Sequence, residues 1–128
     1  MEKIENDFIC YWIKDDILYS EFKKPTIVTL ENAKEMILLR HQISNNINRY
    51  WCVDFSNLKS FTKEGRDYAE VHGQDFLNAT AAVVNSHITS FLLNTFMKIK
   101  KPIIPLKSFK SKEDAVKWLT ELKLESTN

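Results

Sequence analysis

The chain has 128 residues, 44% hydrophobic and 27% charged, with 18 basic against 17 acidic side chains and a formal charge of +1. That length favours one domain with an adequate core, and the composition is that of a globular protein, not a disordered or fibrous one. The near-zero charge argues against broad nucleic-acid binding, no apolar run approaches the roughly 20 residues of a membrane span, and the N-terminal MEKIENDF lacks the basic start and apolar stretch of a signal peptide, so a cytoplasmic location is expected.

Phe8–Ile13 and Ile17–Phe22 read as two strands of a hairpin, with Lys14, Asp15 and Asp16 as the turn. Ile27 and Val28 extend the second strand past Pro25. Thr29 is a suitable N-cap, Glu31 lies in the first turn where the helix dipole favours it, and a helix is predicted to about Asn46. Its apolar stripe takes Ala33, Met36, Ile37, Leu39 or Arg40, and Ile43, widened by Leu38; Ser44, Asn45 and Asn46 are the stop. Tyr50–Phe55, with aromatic and β-branched members, reads as a central strand buried on both faces and reached by a right-handed crossover. Cys52 here and Cys10 in the hairpin read as buried free thiols.

Asn57 begins a polar loop. A second helix is predicted over about 63–72, with Tyr68 and Val71 inward and Gly73 at its end. Phe76 and Leu77 read as plugs in the next loop. Thr80–Val84 is a further parallel strand whose alanines anticipate close approach of a helix. A third helix follows Asn85 and Ser86, with Ile88, Phe91, Leu92, Thr95, Phe96 and Ile99 at helical spacing and Pro102 as its stop. Pro105–Phe109 is a last, edge strand. Ser111 opens a terminal helix, Asp114 stands at its third position, and Ala115, Trp118, Leu119 and Leu122 form the inner face. The order predicts an α/β fold: one domain over 1–124, an N-terminal hairpin leading into a mostly parallel sheet of four to five strands, about four covering helices, and a frayed tail at 125–128.

That order is similar to the STAS domain of bacterial anti-sigma-factor antagonists. In that family a strand of the form L-D-L-S precedes a loop, and D-S-S-G then opens a helix. Val53-Asp54-Phe55-Ser56 resembles the strand, and Thr62-Lys63-Glu64-Gly65 falls where D-S-S-G would. Asn85-Ser86, Asn94-Thr95-Phe96, Lys101-Pro102, Pro105, Phe109, Ala115 and Trp118-Leu119 resemble a narrower group of small uncharacterised bacterial STAS/SEC14-like (SpoIIAA-like) proteins. The resemblance implies a non-catalytic signalling module that binds a protein partner, such as a signalling protein or a kinase. It places Glu64 at the phosphoacceptor position. A carboxylate cannot accept phosphate, so the familiar phosphoserine switch is not expected there. The SEC14 half of the resemblance implies, as the alternative, a domain for a small apolar ligand or lipid.

Open parallel sheets meet their ligands at the C-terminal strand ends. The candidates gathered there are Asp54, Ser56, Asn57, Lys59, Ser60, Thr62, Lys63, Glu64, Asn85 and Ser86, read as a partner- or anion-binding rim. Thr62 and Ser86 are equally read as helix caps. Asp54, inside an apolar strand, needs hydrogen-bond donors, and loop N–H groups are the expected ones. Asp54, Ser56 and His87 do not make a hydrolytic triad on sequence grounds, because no G-x-S-x-G elbow is present. His41, His72 and His87 fall on three separate helices without metal-ligand spacing, so neither a metal nor a cofactor is expected. Tyr11, Trp12 and Tyr19 give the hairpin more aromatic surface than one sheet face covers, which makes a homodimer through its edge an option.

Overall fold

The computed structural model describes residues 2–87, 90 and 103–126. Strands β1 (Lys3–Glu5), β2 (Ile9–Lys14) and β3 (Ile17–Phe22) precede the short β4 (Thr26–Val28) and helix α1 (Leu30–Ser44). Then come β5 (Arg49–Asp54), β6 (Leu58–Phe61), α2 (Lys63–His72), β7 (Leu77–Val83), β8 (Leu106–Phe109) and the terminal helix α3 (Lys112–Ser126). The main sheet has the order β1-β2-β3-β5-β7-β8. Its first two pairings are antiparallel and the remaining three parallel, so the six-stranded sheet is mixed, not mostly parallel. Three helices lie among the described residues; most of the helix predicted after Ser86 lies outside them.

The hairpin turn places Asp15 and Asp16 at φ of 51° and 65°, the left-handed pair that matches the twist of a two-residue hairpin. Asp16 also takes Arg49 at 3.2 Å and Lys123 at 3.0 Å, which ties the hairpin tip to the start of β5 and the end of α3. Alternation along the strands sorts the core into two layers. Tyr11, Leu18 and Trp51 face α1, whereas Ile17, Tyr19, Cys52, Ala79, Ala81 and Val83 face Ala115 and Leu119 of α3. The alanines of β7 let α3 approach closely, as their size anticipates.

Several expectations change. The segment after Asn57 is not a plain loop: Leu58–Phe61 pairs in parallel with β4 as a separate two-stranded sheet. Val71 and Leu38, expected inward, are exposed, because α1 and α2 pack on each other and on the sheet through neighbouring faces. Phe76 is largely outward at φ 57° and meets the edge of His41, while Leu77 is buried at the start of β7. Helix α3 continues through Ser126, past the predicted fraying point, and Ser126 Oγ lies 2.9 Å from the Tyr50 hydroxyl. The hairpin aromatics are covered within the chain. Tyr11 is buried and donates to the Met36 carbonyl at 2.9 Å, while Trp12 stacks on Tyr19 at 5.4 Å beneath the Lys112 ammonium. The free edge of β2 is taken by β1. Within the chain, both observations use the aromatic surface and the β2 edge on which a homodimer was considered, and β1 becomes the border of the sheet.

Cys10 and Cys52 are free and buried. Burial pushes the Cys52 thiol up to about 11 and raises Cys10 as well. Since the thiolate is the reactive species, both are expected to resist a thiol reagent at about pH 8 in the native protein and to react promptly after unfolding. Rapid native labelling of both, followed by mass spectrometry, would contradict the buried placement.

Candidate functional site

The predicted central strand is central: β5 pairs with β3 on one side and β7 on the other. In that register Asp54 stands opposite Val83, so Ser56 and Asn85 each emerge two residues beyond the matched pair. They meet there. Asp54, half-buried, accepts from the Ser56 N–H at 2.9 Å and from the Ser56 hydroxyl, and Asn85 donates its amide to Ser56 Oγ at 3.0 Å. Asp54 thus shapes the exit from the strand through the first loop N–H.

The remaining candidates have other placements. Asn57 donates its amide to the Phe22 carbonyl at 3.0 Å and accepts from Thr26 N–H at 2.9 Å, which fastens the link between β3 and β4. Thr62 is the N-cap of α2: its hydroxyl oxygen accepts from Gly65 N–H at 3.1 Å, and its own N–H donates to the Val28 carbonyl at 3.0 Å. Ser60 is half-buried on β6, while Lys59 is exposed beside it. Lys63 is exposed and pairs with Asp67 at 3.5 Å, and Glu64 is exposed in the first turn of α2. The Ser86 carbonyl accepts from Ser90 N–H at 3.0 Å, and Asn85 and Ser86 are exposed. The structure therefore joins Asp54, Ser56 and Asn85, uses Asn57 and Thr62 as fasteners, and leaves Lys59, Lys63 and Glu64 facing solvent.

A second feature lies one layer below. Between the sheet, α1 and α2 is a cavity of about 130 Å³, lined chiefly by apolar side chains including Met36, Val53 and Phe55. Arg40 is also in its wall and is 1% exposed. Its guanidinium donates to the Asp75 carbonyl at 2.6 Å and the His72 carbonyl at 3.3 Å, just where α2 ends, and lies 5.1 Å from the Trp51 ring centroid. Burial lowers the Arg40 pKa, yet a guanidinium starts so high that it keeps its charge. Sequence reasoning left Arg40 out of the site, although the signal was present: an arginine on the apolar stripe of α1.

His41 sits beside it, edge-on to Phe76 at 5.0 Å, with Nε2 buried and unpartnered among the described residues. Burial, and then the Arg40 charge, hold His41 below the ordinary imidazole value of 6.5. The unfolded chain therefore binds this proton more readily. The contribution of His41 to stability is full above pH 6.5 and is lost as pH falls through the folded value. Melting temperature should drop on acidification across that window, and His41→Gln should drop less. An imidazole titration by NMR that places His41 at or above 6.5 would contradict it.

One solved structure similar to this chain is an uncharacterised protein of the DUF3478 family from Shewanella loihica PV-4, described as having a SpoIIAA-like fold. It is 17% identical, the match covers 87% of this chain and 91% of that one, and the TM-score is 0.61. At that identity the likeness shows the fold alone: an α/β fold that is SpoIIAA-like, with a mixed rather than a mostly parallel sheet. No curated protein matches this chain. No helix among the described residues is long and apolar enough to cross a membrane. The model of the family described as a domain of unknown function, DUF7793, matches residues 11–123, and this chain belongs to that family.

Proposed function

We propose that the protein is a non-catalytic regulatory module of bacterial signalling that docks a protein partner through the segment from Ser56 to Arg66 and the exposed face of α2. The observation that carries this reading is the contrast within that segment. Thr62 and Asn57 lock its backbone to β3 and β4, while Lys59, Lys63 and Glu64 stand exposed on the fixed frame. A rigid rim with mixed charge suits specific recognition, because little ordering entropy is lost on binding and charge pattern discriminates among partners. Its likeness to anti-sigma-factor antagonists supports the same reading. Glu64 then acts as a permanent negative charge at a helix N-terminus, where it is favourable, and binding is constitutive. Two buried free thiols suit a reducing compartment, so we place the module in the cytoplasm.

The test is site-specific photocrosslinking in bacterial cells from Lys59 and Glu64, with Asp15 at the opposite end of the sheet as the control. One protein should be captured from the rim positions and not from Asp15. Reconstituted with the purified chain, it should bind at least about tenfold more weakly to Lys59→Glu and Glu64→Lys variants of unchanged melting temperature. Equal capture from Asp15, or indifference to both variants, would remove the proposed surface. Phosphate found on Ser60 or Thr62 after incubation with a cognate kinase would overturn the constitutive part. The cavity favours a second reading, a domain for a small apolar ligand. At about 130 Å³ it is of the size that holds a single ring, since cavities of about 150 Å³ hold benzene, and it is far too small for a lipid tail pair.

A further inference from the structure

The polar groups in the wall of that cavity are nearly all spoken for. The Tyr11 hydroxyl donates to the Met36 carbonyl, and Gln74 Oε1 accepts from the N–H groups of Ile103 and Ile104 at 2.7 and 3.1 Å. Glu70 is half-buried and remains in reach of water. Arg40 differs: its charge is set inside, and among the described residues no carboxylate forms an ion pair with it. The Asp75 carboxylate is placed on His72 Nδ1 at 3.6 Å instead. What compensates Arg40 is the end of α2, worth about half an elementary charge, the face of Trp51, and the charge of Asp75 acting from beyond ion-pair distance. Two of the five guanidinium N–H donors are engaged in those carbonyl bonds. A buried cation with no carboxylate in direct contact among the described residues, at the edge of a ring-sized apolar space, has the character of a subsite for an anion with an apolar body.

We propose that the cavity binds a small aromatic acid, a single ring carrying one carboxylate, with the ring among Trp51, Phe55 and Phe61 and the carboxylate turned to Arg40. The proposal rests on the reading of the cavity as a ligand site and adds to it the charge of the ligand. Occupation also couples to the rim, because Phe55 and Phe61 flank the Ser56–Leu58 turn and β6. A bound ring would stiffen the frame on which Lys59 and Glu64 are displayed.

The probe is benzoate, with benzamide as its uncharged counterpart, titrated into the full 15N-labelled chain and followed by 1H–15N NMR. Benzoate should shift the Trp51 indole N–H and bind at least about tenfold more tightly than benzamide. Arg40→Met should abolish that preference. Ala69→Leu, which projects a larger side chain from α2 into the space while favouring helix, should abolish binding of both and keeps the test independent of whether the Arg40 variant folds. Equal binding of benzoate and benzamide would overturn the acid preference and leave the cavity reading standing. Absence of any Trp51 shift with either probe, or binding unaltered by Ala69→Leu, would overturn both.

Discussion

Replacing Gly65 by alanine is expected to lower the melting temperature by about 10 °C. Gly65 is the third residue of α2 and is buried. A Cβ there would collide with the carbonyl oxygen of Val28 and lie 3.0 Å from the carbonyl carbon and oxygen of Thr29. None of these atoms is free to retreat. The Val28 carbonyl accepts from Thr62 N–H at 3.0 Å, and the Thr29 carbonyl accepts from Ala33 N–H at 2.8 Å while its hydroxyl oxygen accepts from Asn32 at 3.1 Å. Moving either backbone would loosen the starts of α1 and α2 together. Alanine gains at most about 1 kcal/mol of helix propensity, whereas overpacking typically costs about 1–3 kcal/mol, and this junction sits at or beyond the top of that range because only hydrogen-bonded backbone could give way. The net loss is therefore about 2–3 kcal/mol, to be read from thermal and urea unfolding followed by circular dichroism. An alanine variant as stable as the parent would show that α1 and α2 do not meet this closely. The glycine that resemblance places at the end of a D-S-S-G-like motif thus has a local steric reason to be glycine.

How much could be read in advance depended on whether a signal was local. Helix starts were legible: Thr29, Thr62 and Ser111 all accept from the N–H three residues on, at 3.1, 3.1 and 3.2 Å. The stop after Ser44 was legible too, because Asn45 and Asn46 take the left-handed conformation that asparagine tolerates. The strand β1 was not, since Lys-Ile-Glu offers one apolar residue and owes its conformation to pairing with β2. Strand β6 carries only Leu58 and Phe61 as apolar residues, so nothing local marks it; pairing with β4, some thirty positions earlier, makes it a strand. The site divides the same way. That Ser56 and Asn85 converge beyond Asp54 follows from parallel register, which the strand order implies. The apolar stripe of α1 marks Arg40 as inward, but its partners do not follow from its own neighbourhood, because the carbonyls that receive it come from residues 32 and 35 positions away.

Arg40→Ala is the second large effect, an expected loss of about 3–5 kcal/mol. Truncation removes a side chain that is 1% exposed and leaves the Asp75 carbonyl without its guanidinium donor and the His72 carbonyl with only the long bond from Asp75 N–H at 3.4 Å. It also enlarges the existing cavity beside Met36 and Trp51, and both costs fall on the same contact between α1 and α2. Against a total of about 5–15 kcal/mol for a domain, such a loss removes a large fraction of the stability. Two further substitutions separate the causes. Arg40→Met restores most of the volume but no donor, so its loss should be about 2–3 kcal/mol, the part owed to the carbonyls. Arg40→Lys keeps the charge but presents a point donor in place of a planar fork, and cannot reach both carbonyls at once. It should fall between the parent and Arg40→Met. Urea midpoints at constant m-value give the ranking directly. Should Arg40→Met prove as stable as the parent, the guanidinium would not be what holds the end of α2.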